Sequence, residues 1–121
     1  MTASDRRGAP RIHERIAFSI DEGGREIRTE TQNISTAGAY CITNQFIAPM
    51  TKLQLRLELP HHPKPIRIQC EGVVVRAEPV VESSEKGKYH IAVFFSEMSE
   101  KDRGAIAGFV QARLASHPSS H

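Results

Sequence analysis

The sequence predicts a mainly β domain, built as an antiparallel barrel or sandwich, with one helix at its C-terminal end. Its 121 residues suffice for one modest hydrophobic core. Six segments of alternating or continuous apolar character lie between turn signals, and the hydrophobic period changes to that of a helix after Ser99. Apolar residues make up 39% of the chain and charged residues 25%, which is near ordinary globular usage and suggests neither a disordered nor a fibrous protein.

Strands are expected where β-branched, aromatic and alternating residues are bounded by Gly, Pro or polar turns. The predicted strands are residues 16–20, 26–32, 38–43, 53–59, 66–77 and 89–95. Residues 21–24 predict a hairpin turn, because paired glycines supply the positive φ of a tight turn. Residues 60–65 and 82–88 are expected to be loops. So many short strands favour a sheet that closes or is covered, since exposed strand edges are a liability.

A helix is predicted from Ser99 onward. Ser99 can cap it, with Asp102 three residues later at the acidic position of a capping box. One apolar face then follows at helical spacing: Ile106, Phe109, Val110 and Leu114. Gly104 and Gly108 each weaken a helix by roughly 1 kcal/mol relative to Ala. The helix is therefore expected to depend on packing against the sheet.

The chain is expected to divide into a mobile basic arm at residues 1–14, a barrel with its helix at residues 15–116 and a disordered tail at residues 117–121. No apolar stretch reaches the roughly 18 to 20 residues of a membrane span, and the N-terminus lacks the apolar segment of a signal peptide. We therefore expect a cytoplasmic protein that does not insert into membranes. Cys41 and Cys70 share no CxxC spacing, which favours two partly buried, reduced thiols over a disulfide or zinc pair.

No pattern of catalytic groups is evident in the sequence. It contains no GxSxG, HExxH or GxxxxGK[ST] motif. His61 and His62 are adjacent, but no third metal ligand lies near them in sequence, so no metal site is expected. The sequence therefore favours a binding protein without a cofactor over an enzyme.

Arginines cluster near the N-terminus, where Gly8 and Pro10 oppose helix formation and favour an irregular arm. They are Arg6, Arg7, Arg11 and Arg15. A guanidinium can make paired hydrogen bonds to phosphate oxygens or to guanine O6 and N7, and it can stack on a base. Taken alone, this cluster is more simply explained as a solvated basic terminus.

A polar turn at residues 33–38 joins two predicted strands. Asn33 and Ser35 are expected on one face and Ile34 on the other. Gly38 would permit the close approach of a ligand or of the arm. Taken alone, this turn is also explained by its side chains satisfying nearby backbone groups.

The order and spacing of these two features resemble the PilZ family, bacterial receptor domains for the second messenger cyclic di-GMP. The family pattern is RxxxR, often preceded by another arginine and followed further along the chain by [D/N]xSxxG. Arg7 and Arg11 fit the first part, and Asn33, Ser35 and Gly38 fit the second. All the motif positions are filled.

The resemblance extends to the late strands and the helix. Residues 72–76 and 89–95 resemble late barrel strands of PilZ domains, although Ala92 stands where the family often has glycine. The resemblance implies a six-stranded antiparallel β-barrel with a C-terminal α-helix and a ligand gripped between the arm and the barrel.

The ligand-binding residues that the resemblance implies are Arg6, Arg7, Arg11, Asn33, Ser35 and Gly38. The arginines would hold guanine edges and phosphates, and Asn33 and Ser35 would meet the ligand from the barrel, where Gly38 keeps the surface open. Asn33 offers one accepting oxygen where a carboxylate offers two, so a lower affinity for guanine N1 and N2 is expected. Binding is expected to order the arm and to change the surface shown to a downstream effector protein.

The alternative is a PilZ-like protein–protein interaction module that binds no nucleotide, in which the arginines are surface charge. A barrel for single-stranded nucleic acid would need stacking residues on one strand face, and five Phe, two Tyr and no Trp supply few. We therefore expect neither DNA nor RNA as a partner.

Overall fold

The computed structural model describes residues 10–81 and 87–115, which form six strands and one helix in the predicted order. They are β1 Ala17–Glu22, β2 Arg25–Ile34, β3 Gly38–Thr43, β4 Lys52–Leu59, β5 Ile66–Pro79, β6 Tyr89–Glu97 and α1 Glu100–Ala115. The strands pair antiparallel in the ring β1–β2–β3–β6–β5–β4, which closes where β4 pairs with β1. The predicted six-stranded barrel with a C-terminal helix is confirmed.

The β1–β2 hairpin turns at the two predicted glycines. Gly23 and Gly24 have φ values of 60° and 91°, in the region that only glycine adopts without strain. The carboxylate of Asp21 accepts a hydrogen bond from the Gly24 N–H at 2.9 Å. Local turn chemistry therefore sets the register of the first strand pair.

The core fills the barrel interior with alternating residues of the strands, interrupted where the register shifts in β2 and β5. On β4 these residues are Leu53, Leu55, Leu57 and Leu59, each at most 2% exposed. Cys41 and Cys70 also lie inside as free, buried thiols. Burial raises the pKa of Cys41 to about 12 and that of Cys70 to about 11, with the charge of Asp102 adding to the second shift.

Helix α1 begins at the predicted cap, where the Asp102 N–H donates to Ser99 Oγ at 3.1 Å. Its buried residues are Ile106, Phe109 and Val110. Leu114, expected on this face, is 42% exposed. Each i+4 step in a helix overshoots a full turn by about 40°, so two such steps from Ile106 carry Leu114 away from the buried face. The residue seven positions after Ile106 returns to that face. Arg113 occupies that position, with its guanidinium carbon 4.4 Å from the centre of the Phe109 ring.

In the described part of the chain, no helix combines the length and apolar character that crossing a membrane requires.

Candidate functional site

The segment before β1, residues 12–16, is hydrogen-bonded to β2. The backbone N–H groups of Ile12 and Ile34 each donate to the other residue's carbonyl, at 3.0 and 2.9 Å. Further along, Thr31 Oγ1 accepts a bond from the Ile16 N–H at 3.0 Å and donates to the Glu14 carbonyl at 2.6 Å. Ile12 itself is 7% exposed. The described end of the expected mobile arm is thus attached to the barrel from Ile12 onward.

A β-bulge turns Asn33 toward the outside of the barrel. Thr31 and Ile34 are both fully buried, although simple alternation would place two residues three positions apart on opposite faces. The register shifts between Thr31, which pairs with Cys41, and Asn33, which pairs with Tyr40. The extra residue re-aims the side chain that follows it, as bulges do near binding sites.

Arg11 and Asn33, 22 residues apart in sequence, meet on this outer surface. Arg11 Nη1 donates to Asn33 Oδ1 at 2.5 Å. The antiparallel pairing of Ile12 with Ile34 makes the contact possible, because it places Arg11 opposite Ser35 and diagonal to Asn33, within reach of a long side chain. Partial desolvation lowers the pKa of Arg11 from its ordinary value, and the group remains protonated at physiological pH. The two parts of the sequence motif therefore converge.

Arg11 is hydrogen-bonded to a neutral side chain, the amide of Asn33, whereas most of the described arginines lie beside a carboxylate. Six others have a carboxylate oxygen within 4.0 Å. They are Arg15, Arg25, Arg28, Arg56, Arg67 and Arg113. A guanidinium held by an amide keeps its net charge available to an anion, whereas a carboxylate neutralises it. Arg11 is thus suited to a phosphate or another anionic group.

Ser35 lies inside the turn, apart from the outward face of Asn33. It is fully buried, and its hydroxyl oxygen accepts a bond from the Ala37 N–H at 3.0 Å. Its own N–H donates to the Gly38 carbonyl at 2.9 Å. Strand β2 ends at Ile34, so the alternation expected to bring Ser35 beside Asn33 stops one residue too early. In this structure Ser35 shapes the turn.

Gly38 is required by strand packing. Its φ lies outside the positive region in which Gly23 and Gly24 are found. A Cβ at this position would come well inside 3.0 Å of the Val93 carbonyl oxygen and 3.3 Å from Phe94 Cα. What approaches Gly38 closely is the backbone of β6, whereas the sequence suggested a ligand or the arm.

Helix α1 contacts the polar turn and the segment that follows Arg11. Arg103 Nη1 donates to the Thr36 carbonyl in the polar turn at 2.5 Å, across 67 residues of sequence. Arg113 Nε lies 3.2 Å from the Glu14 carboxylate, just after the Ile12 bridge. The turn and the start of the barrel are therefore joined to one helix.

Tyr40 and His90 form an aromatic pair beside Asn33 that the sequence did not single out. Their ring centroids are 5.5 Å apart with an interplanar angle of 17°. Tyr40 pairs with Asn33 across β2 and β3, and it lies two residues after Gly38 on β3. Residues two apart on a strand point to the same side of the sheet. This alternation, together with the bulge in β2, is the sequence signal that places Tyr40 on the same outer surface as Asn33.

The remaining predicted positions are less informative. Arg6 and Arg7 lie outside the described residues. Arg15 is exposed and pairs with Glu30 at 3.7 Å. Within residues 10–81 and 87–115, no group of three or more His, Cys, Asp or Glu side chains could hold a metal ion.

Comparison with known proteins agrees with this geometry. A family model for the PilZ domain matches residues 5–112. The Bacillus subtilis inhibitor of motility, MotI/DgrA, is similar in structure with a TM-score of 0.81 and 23% identity, over 91% of this chain and 52% of that chain. The YcgR PilZ domain of Escherichia coli, solved with cyclic di-GMP, gives 0.65 and 11%, over 94% and 97%.

A third similar structure is the K. pneumonia MrkH–cyclic di-GMP complex, with a TM-score of 0.67 and 19% identity, over 92% of this chain and 53% of that chain. This chain spans about half the length of the MotI and MrkH chains. No functionally curated protein matches the sequence significantly. Likeness at these identities shows the fold, and the family match covers both the arginine motif and the polar turn. The chain therefore belongs to the PilZ domain family.

Proposed function

We propose that this domain is a cyclic di-GMP receptor that grips the nucleotide between its N-terminal arginines and the polar turn, and that signals to a partner protein. One observation carries the proposal: the charged guanidinium of Arg11 rests on the neutral amide of Asn33. Two similar structures, the YcgR domain and MrkH, were solved with this ligand. The ligand is bound as a signal, so the domain acts as a receptor and not as an enzyme.

The Arg11–Asn33 bond gives each side chain a role. The amide oxygen of Asn33 already faces Arg11. Its two N–H donors then face away, toward acceptors such as guanine O6 and N7 or a phosphate oxygen. The remaining donors of Arg11 serve the same ligand from the other side. In this proposal Arg6 and Arg7 add further cations, and Ser35 and Gly38 build the turn on which Asn33 is presented.

We propose that helix α1 transmits occupancy of the site to the partner. Arg103 bonds the carbonyl of Thr36, which lies between Asn33 and Gly38. A ligand pressing on that turn would change the Arg103 contact, and with it the position of the first turns of α1. What the ligand would order is the stretch that carries Arg6 and Arg7, since the chain is already attached from Ile12.

Titration calorimetry with cyclic di-GMP tests the proposal. Arg11→Ala should weaken binding by about 10-fold or more, because a hydrogen bond to a charged group contributes roughly 1.5 to 3 kcal/mol. Arg67→Ala is the matched control, because Arg67 is exposed and bonded to Glu58 on β4, and it should bind like the wild type. Absence of heat with the wild type at tens of micromolar ligand would exclude the receptor and leave the interaction module.

Two further measurements test the ligand specificity and the kind of partner. Cyclic di-AMP should compete poorly, because adenine presents an amino donor where guanine presents O6. One similar structure is described as a cyclic di-GMP-dependent transcription regulatory factor, so DNA binding should be measured directly. We expect no change in the anisotropy of a labelled duplex at physiological salt, with or without ligand, and saturable binding would contradict a purely protein-directed output.

A further inference from the structure

We infer that the open backbone edge of β2 at residues 25–28 binds an extended acidic segment of a partner protein as an added strand. Strand addition to an exposed edge is a general mode of peptide recognition, in which main-chain hydrogen bonds give affinity and side chains give specificity. The stretch lies at the opposite end of β2 from the polar turn. This contact is therefore separate from the proposed nucleotide site and does not depend on it.

Residues 25–28 have a strand neighbour on one side only. They pair with β1, whereas the pairing of β2 with β3 starts at Thr31. At Thr29, a bond of 2.7 Å from Oγ1 to the Ile42 carbonyl still holds β3 beside β2. Strand β3 ends at Thr43, and within the described chain no loop backbone bonds to residues 25–28. The open edge is therefore about 13 Å long, at roughly 3.4 Å per residue.

The register of the first hairpin decides which backbone groups face outward. Glu22 and Arg25 flank the two-residue turn and are hydrogen-bonded to each other. Bonded and non-bonded pairs then alternate along the ladder, so Ile27 also bonds to β1. Glu26 and Arg28 turn their N–H and C=O groups away from β1. The edge thus offers donors and acceptors at alternate residues, which is the pattern that an added strand requires.

A groove of about 550 Å³ beside this edge carries an excess of positive charge. Three cations and one carboxylate line it: Arg15, Arg28, Lys88 and Glu30. Glu26, the other carboxylate on the stretch, lies 3.7 Å from Arg28 and 4.0 Å from Arg56. These ion pairs are exposed and therefore weak. They leave a positive excess for the acidic side chains of an added strand, whereas a second copy of this chain would bring the same excess.

Charged side chains also protect a sheet edge from indiscriminate pairing. Glu26, Arg28 and Glu30 are all exposed on this part of β2. Such charges do not prevent strand addition by every segment, because they select the charge of the segment that can approach. A neutral or basic strand is therefore expected to bind weakly, and an acidic one to bind best.

A synthetic peptide of about eight residues that alternates valine and glutamate is a suitable probe, since it forms a strand with one acidic face. Titrated into isotope-labelled protein without nucleotide, it should shift the NMR amide signals of Glu26 and Arg28 and slow their hydrogen exchange. The same peptide with methylated backbone nitrogens keeps its charges but loses its donors. It should bind at least about 10-fold more weakly, as should a peptide with lysine in place of glutamate.

Two variants test the role of the groove's charge. Arg28→Glu should weaken binding of the acidic peptide by about 3- to 10-fold. Arg67→Glu makes the same charge change at an exposed position on β5, three strands away, and should bind like the wild type. Circular dichroism of both variants checks that the barrel is intact.

Several results would overturn the inference and leave the receptor proposal standing. They are the absence of amide shifts at about 1 mM acidic peptide, equal binding of the methylated peptide, and shifts confined to strands other than β2. Slow exchange at Glu26 and Arg28 in the protein alone that is lost on dilution would show that a second copy occupies the edge, and it would also overturn the inference. Failure of cyclic di-GMP to bind would overturn the receptor proposal alone.

Discussion

Replacing Gly38 with alanine is expected to destabilise the barrel, whether or not a ligand is present. The added Cβ would meet the carbonyl oxygen of Val93 and the Cα of Phe94. Both are backbone atoms of β6, so no side chain can rotate away to make room. The neighbouring bond from the Phe95 N–H to the Ala37 carbonyl, at 2.9 Å, holds the same two segments together.

The size of the effect follows from that geometry. The β6 backbone would have to recede by about 1 Å before the new contact became ordinary. Overpacking of a well-packed site costs typically 1 to 3 kcal/mol, and more when the neighbour is rigid. In a closed barrel a shift of β6 is opposed by its pairing with both β3 and β5. We expect a loss of about 3 kcal/mol in the free energy of unfolding and a fall in Tm of about 10 °C or more.

Urea denaturation followed by far-UV circular dichroism measures this loss. Gly104→Ala is the matched control, since an added Cβ there meets nothing within 4 Å. It lies inside α1 and should raise stability by up to about 1 kcal/mol. If Gly38→Ala unfolded within 0.5 kcal/mol of wild type, close packing would not explain the glycine, and its expected role in admitting a ligand would regain support.

Three further outcomes are expected. Ser35→Ala should lower the free energy of unfolding by about 1 to 2 kcal/mol in the same urea assay, because it removes a fully buried hydroxyl that accepts a hydrogen bond in the turn. Cys41 and Cys70 should resist a thiol reagent at pH 8 until the protein unfolds. Their pKa values are raised on folding, so their stabilising contribution should be intact below about pH 9 and fall as pH rises toward 11 and 12. A double-mutant cycle with Glu14→Gln and Arg113→Met should give a coupling of about 0.5 to 1 kcal/mol that shrinks in high salt, since both side chains are about one-third exposed.

The barrel was predictable because its signals are local. Alternation placed the leucines of β4, the paired glycines placed the first hairpin, and Ser99 placed the start of α1. Each of these signals depends on a few adjacent residues and can be recognised without knowledge of the tertiary structure.

Part of the site was not predictable, because it depends on contacts between distant segments. The bulge before Asn33 breaks the alternation of β2, and it is evident from the register shift between Thr31 and Asn33 and from the simultaneous burial of Thr31 and Ile34. The need for Gly38 comes from β6, more than 50 residues away along the chain. The motif positions were found by their spacing, but two of them, Ser35 and Gly38, have structural surroundings that spacing does not reveal.

Closure of the barrel limits how a partner protein can recognise this domain. Each of the six strands has a neighbour on both sides. Where a strand is paired on both sides, it offers no row of unpaired backbone N–H and C=O groups, and a partner cannot add a strand there. One stretch that pairs on one side only is residues 25–30 of β2, which pair with β1 and not with β3. Elsewhere recognition must use side chains, on the outer sheet surface or on α1. Such an interface can be mapped by point substitutions of outward residues, because each contact then belongs to one replaceable group.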